Sequence, residues 1–291
     1  MLYFNKRYPK GGVIVKYCLK YTNICTKLNK CQEISIKYIE DKGLVNFMEK
    51  FSSQRIILRV EATYFPESEV RKLVAIKKTY PNYRFAVAMG GYVQKLGHTL
   101  KEAGIDFFES TPCTDWERLN YLIKEGVSDI NLSGPLAFDL GNIHRVLNIL
   151  NPNVQVRVTP NSCLRLNPNT DPLVGFFIRP EDTSVYEGLV DVFEFEGLEH
   201  QDTFYSIYAE QKMFIGNLSQ CIYNFNKPID NKGLISLFGE RRKTCGQQCL
   251  KGGRCHRCYD LADLAKPMGD RAREQILETI KKEQEKLKDE E

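Results

Sequence analysis

The chain has 291 residues, of which 42% are hydrophobic and 27% charged, and its formal net charge at pH 7 is +4. These values are typical of an ordinary globular protein with a large core. So small a charge excess does not by itself indicate nucleic-acid binding. No apolar run approaches the roughly 20 residues that a membrane span requires.

The ten cysteines have to be interpreted together with the N-terminus. The first residues, MLYFNKRYPKGG, lack the continuous apolar core of a signal peptide. We therefore expect a cytoplasmic protein without membrane contact, whose thiols are free or metal-bound rather than paired in disulfides. Cys18, Cys25, Cys31 and Cys221 are expected to serve as small apolar residues, and a second metal site at the first three of them is the alternative.

The N-terminal extension, residues 1–31, precedes the regular part of the chain. Within it, GVIVKYCLKY (12–21) predicts either an extra strand or a cap on the floor of a barrel. From residue 32 to 225, short β-rich runs alternate with helical runs. The predicted strands are 33–40, 55–62, 83–90, 105–110, 128–133, 154–161, 175–180 and 190–196. The predicted helices are 44–51, 67–80, 93–104, 116–126 and 140–150.

This β/α alternation indicates an α/β fold. Gly104 and Gly126 fall where a helix should end before the next strand. Eight consecutive units favour a TIM-like (β/α)8 barrel, and a doubly wound open sheet is the alternative. Beyond the barrel, residues 226–267 form a cysteine-rich segment in which we expect a metal. Residues 268–291 predict a charged C-terminal helix that offers a surface to a protein partner.

One face of several predicted strands carries charged side chains. In the second strand Arg59 and Glu61 alternate with an apolar face, and in the sixth strand Arg157 and Asn161 do so. These arginines and carboxylates predict either a structural ion-pair network or a pocket for a polar or anionic substrate at the barrel mouth. The substrate-binding candidates are Arg59, Arg157, Asn161 and Arg179. The candidates for a catalytic acid or base are Glu61, Glu109, Glu194 and Glu196.

The densest chemical signal is the run TCGQQCLKGGRCHRC, which contains Cys245, Cys249, Cys255 and Cys258. Four thiols so close together predict a metal site, either a closed zinc knuckle or an iron–sulfur cluster of the 4Fe-4S type. In two-knuckle zinc sites the cysteine pairs are usually separated by about a dozen residues or more. The shorter gap here favours a cluster, for which Cys163 at the end of the sixth strand is the alternative ligand.

Two segments resemble the collagenase-like peptidase family, which includes RNA- and ubiquinone-hydroxylation proteins with an iron–sulfur cluster. Residues 126–163 resemble the family's stretch from the fifth barrel strand to a cysteine after the sixth. Residues 179–197 resemble a later segment, of whose motif only the Glu-Gly core is present here. The family's extended cysteine signature after Cys163 is replaced by CLRLNPNTDP. The resemblance implies a barrel, a cluster ligand at Cys163 and a mouth residue at Glu196.

Two functions follow from these patterns. The first is an iron–sulfur barrel protein that modifies RNA or a small molecule, and it makes the chain an enzyme. The second is a non-catalytic barrel with a structural four-cysteine zinc site, which serves assembly or protein interaction.

Overall fold

The computed structural model describes the regular part of the chain and a few residues beyond it. The described residues are 16–20, 32–37, 44–61, 65–90, 94–164, 176–195, 207–209, 214–223, 225, 229, 231 and 278. Within that part, no helix is both long and apolar enough to cross a membrane.

Eight parallel strands form one sheet. Their bounds are β1 Lys16–Lys20, β2 Glu33–Lys37, β3 Arg55–Glu61, β4 Phe85–Gly90, β5 Asp106–Glu109, β6 Asp129–Leu132, β7 Gln155–Val158 and β8 Val192–Phe195. Their order in the sheet is β5-β4-β3-β2-β1-β8-β7-β6, so β1 lies between β2 and β8. The α/β class predicted from the sequence is confirmed.

The helices lie between successive strands. They are α1 Leu44–Lys50, α2 Glu67–Thr79, α3 Gln94–Glu102, α4 Trp116–Glu125, α5 Gly134–Phe138 and α6 Leu140–Ile149. Asp115 begins α4 by accepting a hydrogen bond from the backbone N–H of Arg118 at 2.8 Å. Gly126 ends the same helix in the left-handed conformation, with φ 73°, where glycine is favoured. The helix end that the sequence predicted at Gly126 is therefore confirmed.

One predicted strand is wrong. Residues 175–180 were expected to form the seventh strand, but in the described residues 176–180 only Phe176 makes an isolated bridge, antiparallel to Leu164. From Pro180 the chain turns into a 3-10 helix, Pro180–Tyr186. Proline has no N–H for a strand ladder and its fixed φ suits a helix start, which explains the change. The eighth strand comes instead from Lys16–Lys20, inside the segment 12–21 that was expected to be a strand or a cap.

The core lies between the sheet and the helices. Ile56, Leu58 and Val60 alternate along β3 toward the helical side, and Leu73 of α2 and Leu119 of α4 are fully buried in the same apolar cluster. Burial of each such side chain contributes about 1.5–3 kcal/mol to stability. Because all paired strands are parallel, their carboxyl ends lie at one edge of the sheet and their amino ends at the other.

After β7 the chain turns at residues 160–161 and then makes isolated bridges. Leu164 exchanges two backbone hydrogen bonds with Phe176, at 3.0 and 2.8 Å. On the other side Cys163 donates its N–H to the carbonyl of Tyr223 at 3.1 Å. These short contacts place Cys163 and residues 221–223 beside the carboxyl end of β7.

Candidate functional site

The face of the sheet opposite the apolar core carries a buried cluster of charges. Register and alternation place its members on the same face of β2, β3, β6, β7 and β8. They are three arginines and three carboxylates: Arg55, Arg59, Arg157, Glu33, Asp129 and Glu194. We call these six residues the ion network. Because these six charges sum to zero, the ion network carries no net charge, so its burial does not require a net charge to be removed from water.

Arg157 is the centre of the ion network and has no solvent exposure. Its Nη1 donates to Glu33 Oε2 at 2.6 Å and to Asp129 Oδ1 at 3.0 Å. Its Nη2 donates to Glu194 Oε2 at 3.1 Å. The guanidinium also lies over the ring of Phe108, 5.1 Å from its centroid. All three carboxylates of the network thus meet at one side chain.

Arg55 binds Asp129 through two parallel hydrogen bonds, of 2.8 and 2.9 Å. Burial by itself would raise the pKa of Asp129, but the charge and hydrogen bonds of Arg55, together with Arg157, outweigh it and lower this pKa to about 2. Ser128 adds a further hydrogen bond to the carboxylate at 2.6 Å. Asp129 is therefore charged across the physiological pH range.

Arg59 is the member of the ion network that reaches toward solvent, with 23% of its side chain exposed. It donates from Nε to Ser35 Oγ at 2.5 Å and forms an ion pair with Glu194. The facing residue on β4 is Ala88, whose small side chain leaves room for a guanidinium. Since Arg59 is the fifth residue of its strand, it lies nearer the carboxyl end of the sheet than Arg55.

The position of the ion network along the strands favours a structural role for most of it. Glu33, Arg55 and Asp129 are the first residues of their strands and lie at the amino end of the parallel sheet. In barrel enzymes the reacting groups lie at the opposite, carboxyl end. Arg157 was expected to bind substrate, but its guanidinium is fully buried and engaged with protein carboxylates. Of the two interpretations of the charged face, this geometry favours the structural network for Arg157.

Glu109 lies on the other face of the sheet. Its register partner is Met89, in line with the apolar residues of β4, and its carboxylate pairs with Arg118 of α4. Burial raises the pKa of Glu109, and Arg118 opposes that rise. Glu109, one of the candidates for a catalytic acid or base, thus connects β5 to α4 on the face opposite the ion network.

Arg179 belongs to a separate cluster. Its Nε donates to Asp182 at 2.8 Å, and its Nη1 lies 3.1 Å from Glu181 and donates to Asn231 at 3.2 Å. Asn231 is itself fully buried and donates to Glu181 at 2.6 Å. These contacts join the 3-10 helix to residue 231, and they engage Arg179 with partners other than those of Arg59 and Arg157.

The remaining described candidates lie near the carboxyl end of β7. Asn161 is fully buried, and its carbonyl accepts a hydrogen bond from Tyr223 at 2.5 Å. Cys163 is also buried, with 6% exposure.

Burial raises the pKa of Cys113 to about 12, and it raises that of Cys221 well above the ordinary value of a thiol. Both thiols are therefore protonated at neutral pH and poor metal ligands or nucleophiles.

Several predicted residues fall outside the described part of the chain. They are Glu196, Cys245, Cys249, Cys255 and Cys258, together with the side chain of Glu61. Within the described ranges, His, Cys, Asp and Glu side chains form no group of three or more that could hold a metal ion.

Sequence reasoning missed half of the ion network as site residues. Glu33, Arg55 and Asp129 were not among the candidates, although each begins a strand on the same alternating face as Arg59 or Arg157. The signal that could have identified them was a charged residue at or near the start of a β-rich run. Their partners could not be identified, because Arg157 and Glu33 are 124 positions apart in the chain.

Comparison with known proteins does not identify a family. No protein-family model matches the chain, and no curated protein matches it. A solved structure described as a cube-shaped, highly porous protein cage, designed by fusing symmetric oligomeric domains, is similar over 92% of this chain and 99% of its own. Its identity is 9% and its TM-score is 0.41, so this likeness carries no argument about function.

Proposed function

We propose that the protein is a closed (β/α)8 barrel that binds an iron–sulfur cluster through its C-terminal cysteines and acts on a polar or anionic substrate. Strand order supports closure: β3 and β6 are five positions apart in the order of the sheet. In a flat sheet that separation is about 24 Å, given roughly 4.8 Å between neighbouring strands. An arginine and an aspartate joined by a hydrogen bond span roughly 13 Å between their Cα atoms, from bonds of about 1.5 Å.

The bond of 2.8 Å between Arg55 of β3 and Asp129 of β6 is therefore incompatible with a flat sheet and favours closure. The two end strands also approach one another, since Ser128, just before β6, donates its N–H to the carbonyl of Phe107 in β5 at 2.9 Å. A bridge between Cys113 and Leu132 adds a second contact. In a closed barrel the ion network would occupy the interior, a position that branched apolar residues usually fill.

The observation that carries the metal proposal is the spacing of Cys245, Cys249, Cys255 and Cys258. Thiolates are the ligands of both Zn²⁺ and iron–sulfur clusters, so the donor set fits either. Asn231, fourteen residues before the first of these cysteines, is held against Glu181 and Arg179.

The substrate proposal rests on Arg59. As a partly exposed guanidinium toward the carboxyl end of the sheet, it is suited to bind a carboxylate or phosphate. The resemblance of residues 126–163 to a family with RNA-hydroxylation members supports RNA as one such substrate. In this proposal Arg157 stabilises the barrel below the site and Glu194 orients Arg59.

Anaerobic purification followed by iron, zinc and acid-labile sulfide analysis tests the metal proposal. We expect a brown protein with about four iron and four sulfide per chain. Stoichiometric zinc without sulfide would contradict the cluster and favour the structural zinc site. An apoprotein in every preparation would refute both.

Cysteine variants then locate the ligands. Cys245→Ala and Cys258→Ala should lose the metal, whereas Cys18→Ala, the matched control outside the tract, should retain it. Cys163→Ala decides whether the tract acts alone. If that variant keeps a full complement of iron and sulfide, all four ligands come from the tract.

A further inference from the structure

The boundary between β5 and β6 differs from every other strand boundary in the sheet. We call it the β5–β6 seam, defined by residues 106–113 on one side and 128–133 on the other. All of these residues are described, and the two strands form no continuous ladder across the seam. At one end Ser128 donates to Phe107, at 2.9 Å. At the other end Cys113 donates to Asn131, at 2.7 Å.

The carboxyl half of the seam is filled by a loop. Cys113 follows β5 and takes the place of a strand residue opposite Leu132, because its N–H donates to Asn131 and its carbonyl accepts from Ser133 at 2.9 Å. The loop uses backbone groups of β6 that would otherwise pair with β5. The side-chain amide of Asn131 contributes only a long contact of 3.5 Å to the carbonyl of Ser110. Regular backbone pairing therefore contributes little to holding this boundary.

At the amino end of the seam, side chains supply the missing connection. Arg55 of β3 reaches both sides, since its Nη2 donates to Asp106 of β5 at 2.9 Å and its two Nη atoms donate to Asp129 of β6. Asp106 is 57% exposed, whereas Asp129 is fully buried. A planar guanidinium is suited to bind two carboxylates at once, which an ammonium group does less well.

We propose that the β5–β6 seam is where the barrel opens first, and that Arg55 keeps it closed by binding one carboxylate on each side. The inference rests on the closure proposed above and not on the metal. Local opening draws on the segments with the fewest backbone hydrogen bonds to neighbours, and the seam is such a segment. Opening here separates β5 from β6 and leaves the ladders on either side intact.

Hydrogen exchange of the full-length chain, followed by mass spectrometry, tests the proposal. In the wild type we expect the seam amides of Ser128, Cys113 and Ser133 to be protected, but to exchange faster than the amides of β3 and β4. Asp106→Asn removes one arm of the bridge without stranding a buried charge. It should increase exchange in the seam about two- to fivefold, as expected for a partly exposed ion pair, and leave β3 and β4 unchanged.

Two further variants make the test specific. Glu102→Gln changes an exposed carboxylate at the end of α3, which lies 3.5 Å from His98, and should leave exchange in the seam unaltered. Arg55→Lys keeps the charge but loses the planar fork and should open the seam more than Asp106→Asn does. If Asp106→Asn and Arg55→Lys both leave seam exchange at the wild-type rate, the inference is wrong and closure stands. If the seam amides are unprotected in the wild type, closure itself is wrong.

Discussion

Replacing Arg157 by methionine gives the most direct test of the ion network. Methionine preserves much of the volume and keeps an apolar contact with Phe108. However, within the ion network it leaves three carboxylates, Glu33, Asp129 and Glu194, facing two arginines, so the buried cluster acquires one uncompensated negative charge. Breaking a buried ion pair by removing one partner costs about 3–5 kcal/mol. We expect the free energy of unfolding to fall by about that amount.

The double variant Arg157→Met/Glu194→Gln separates charge balance from lost contacts. It restores two positive and two negative charges, so it should be more stable than Arg157→Met alone, even though it carries one more substitution. The assay is urea unfolding followed by circular dichroism, with the midpoint and slope measured for each variant. Arg71→Met, which removes an exposed pair with Glu67 on α2, is the matched control and should leave the midpoint unchanged. Additive losses in the double variant, or a midpoint for Arg157→Met equal to that of the control, would refute the argument.

Three further predictions concern titration, thiol chemistry and helix ends. The pKa of Asp129 is lowered in the folded state, so its contribution to stability is complete above its pKa in the unfolded state, about 3.9, and is lost as pH falls toward about 2. Acid unfolding of Asp129→Asn should therefore show a weaker pH dependence between these two values than that of the wild type. Cys113 and Cys221, whose pKa values are raised by burial, should resist alkylation at pH 8 in the folded protein and react once urea unfolds it. Asp115→Ala should lower stability by about 1 kcal/mol through loss of the α4 N-cap, measurable as a shift of the urea midpoint, whereas Asp115→Asn should largely preserve it.

The helices and most strands could be predicted because their signals are local. The helix predicted over 116–126 matches α4, which Gly126 ends in the structure as the sequence predicted. The segment at 175–180 failed because a short apolar run has no periodicity that separates a strand from buried irregular chain. In the structure, Pro180 begins a 3-10 helix and Phe176 pairs with Leu164 in an isolated antiparallel bridge. Leu164 lies outside every run that the sequence predicts as a strand.

The charged face could be predicted only in part. Alternation along β3 correctly placed Arg59 opposite the apolar side. Glu194, named as a candidate acid or base, forms an ion pair with Arg59. The argument failed for Glu109, because its strand presents Asp106 and Phe108 to the ion network and Glu109 to α4. A shift of one residue in the assumed phase changes the face of every side chain in a strand. Which alternate residues of a short strand face the ion network can be determined only when the residues paired with it are known.

The ion network also limits where function can lie. Asp129 is bound by two arginines, and the resulting low pKa holds it in its charged form, so it is poorly suited to exchange protons with a substrate. Arg55 and Arg157 are engaged with these carboxylates and buried, which leaves Arg59 as the network's exposed cation. A substrate that enters from the carboxyl end would therefore meet Arg59 before any other member of the network. Arg59→Gln should weaken binding of an anionic ligand far more than Arg59→Lys does, and an equal loss in both variants would point to damage to the fold instead.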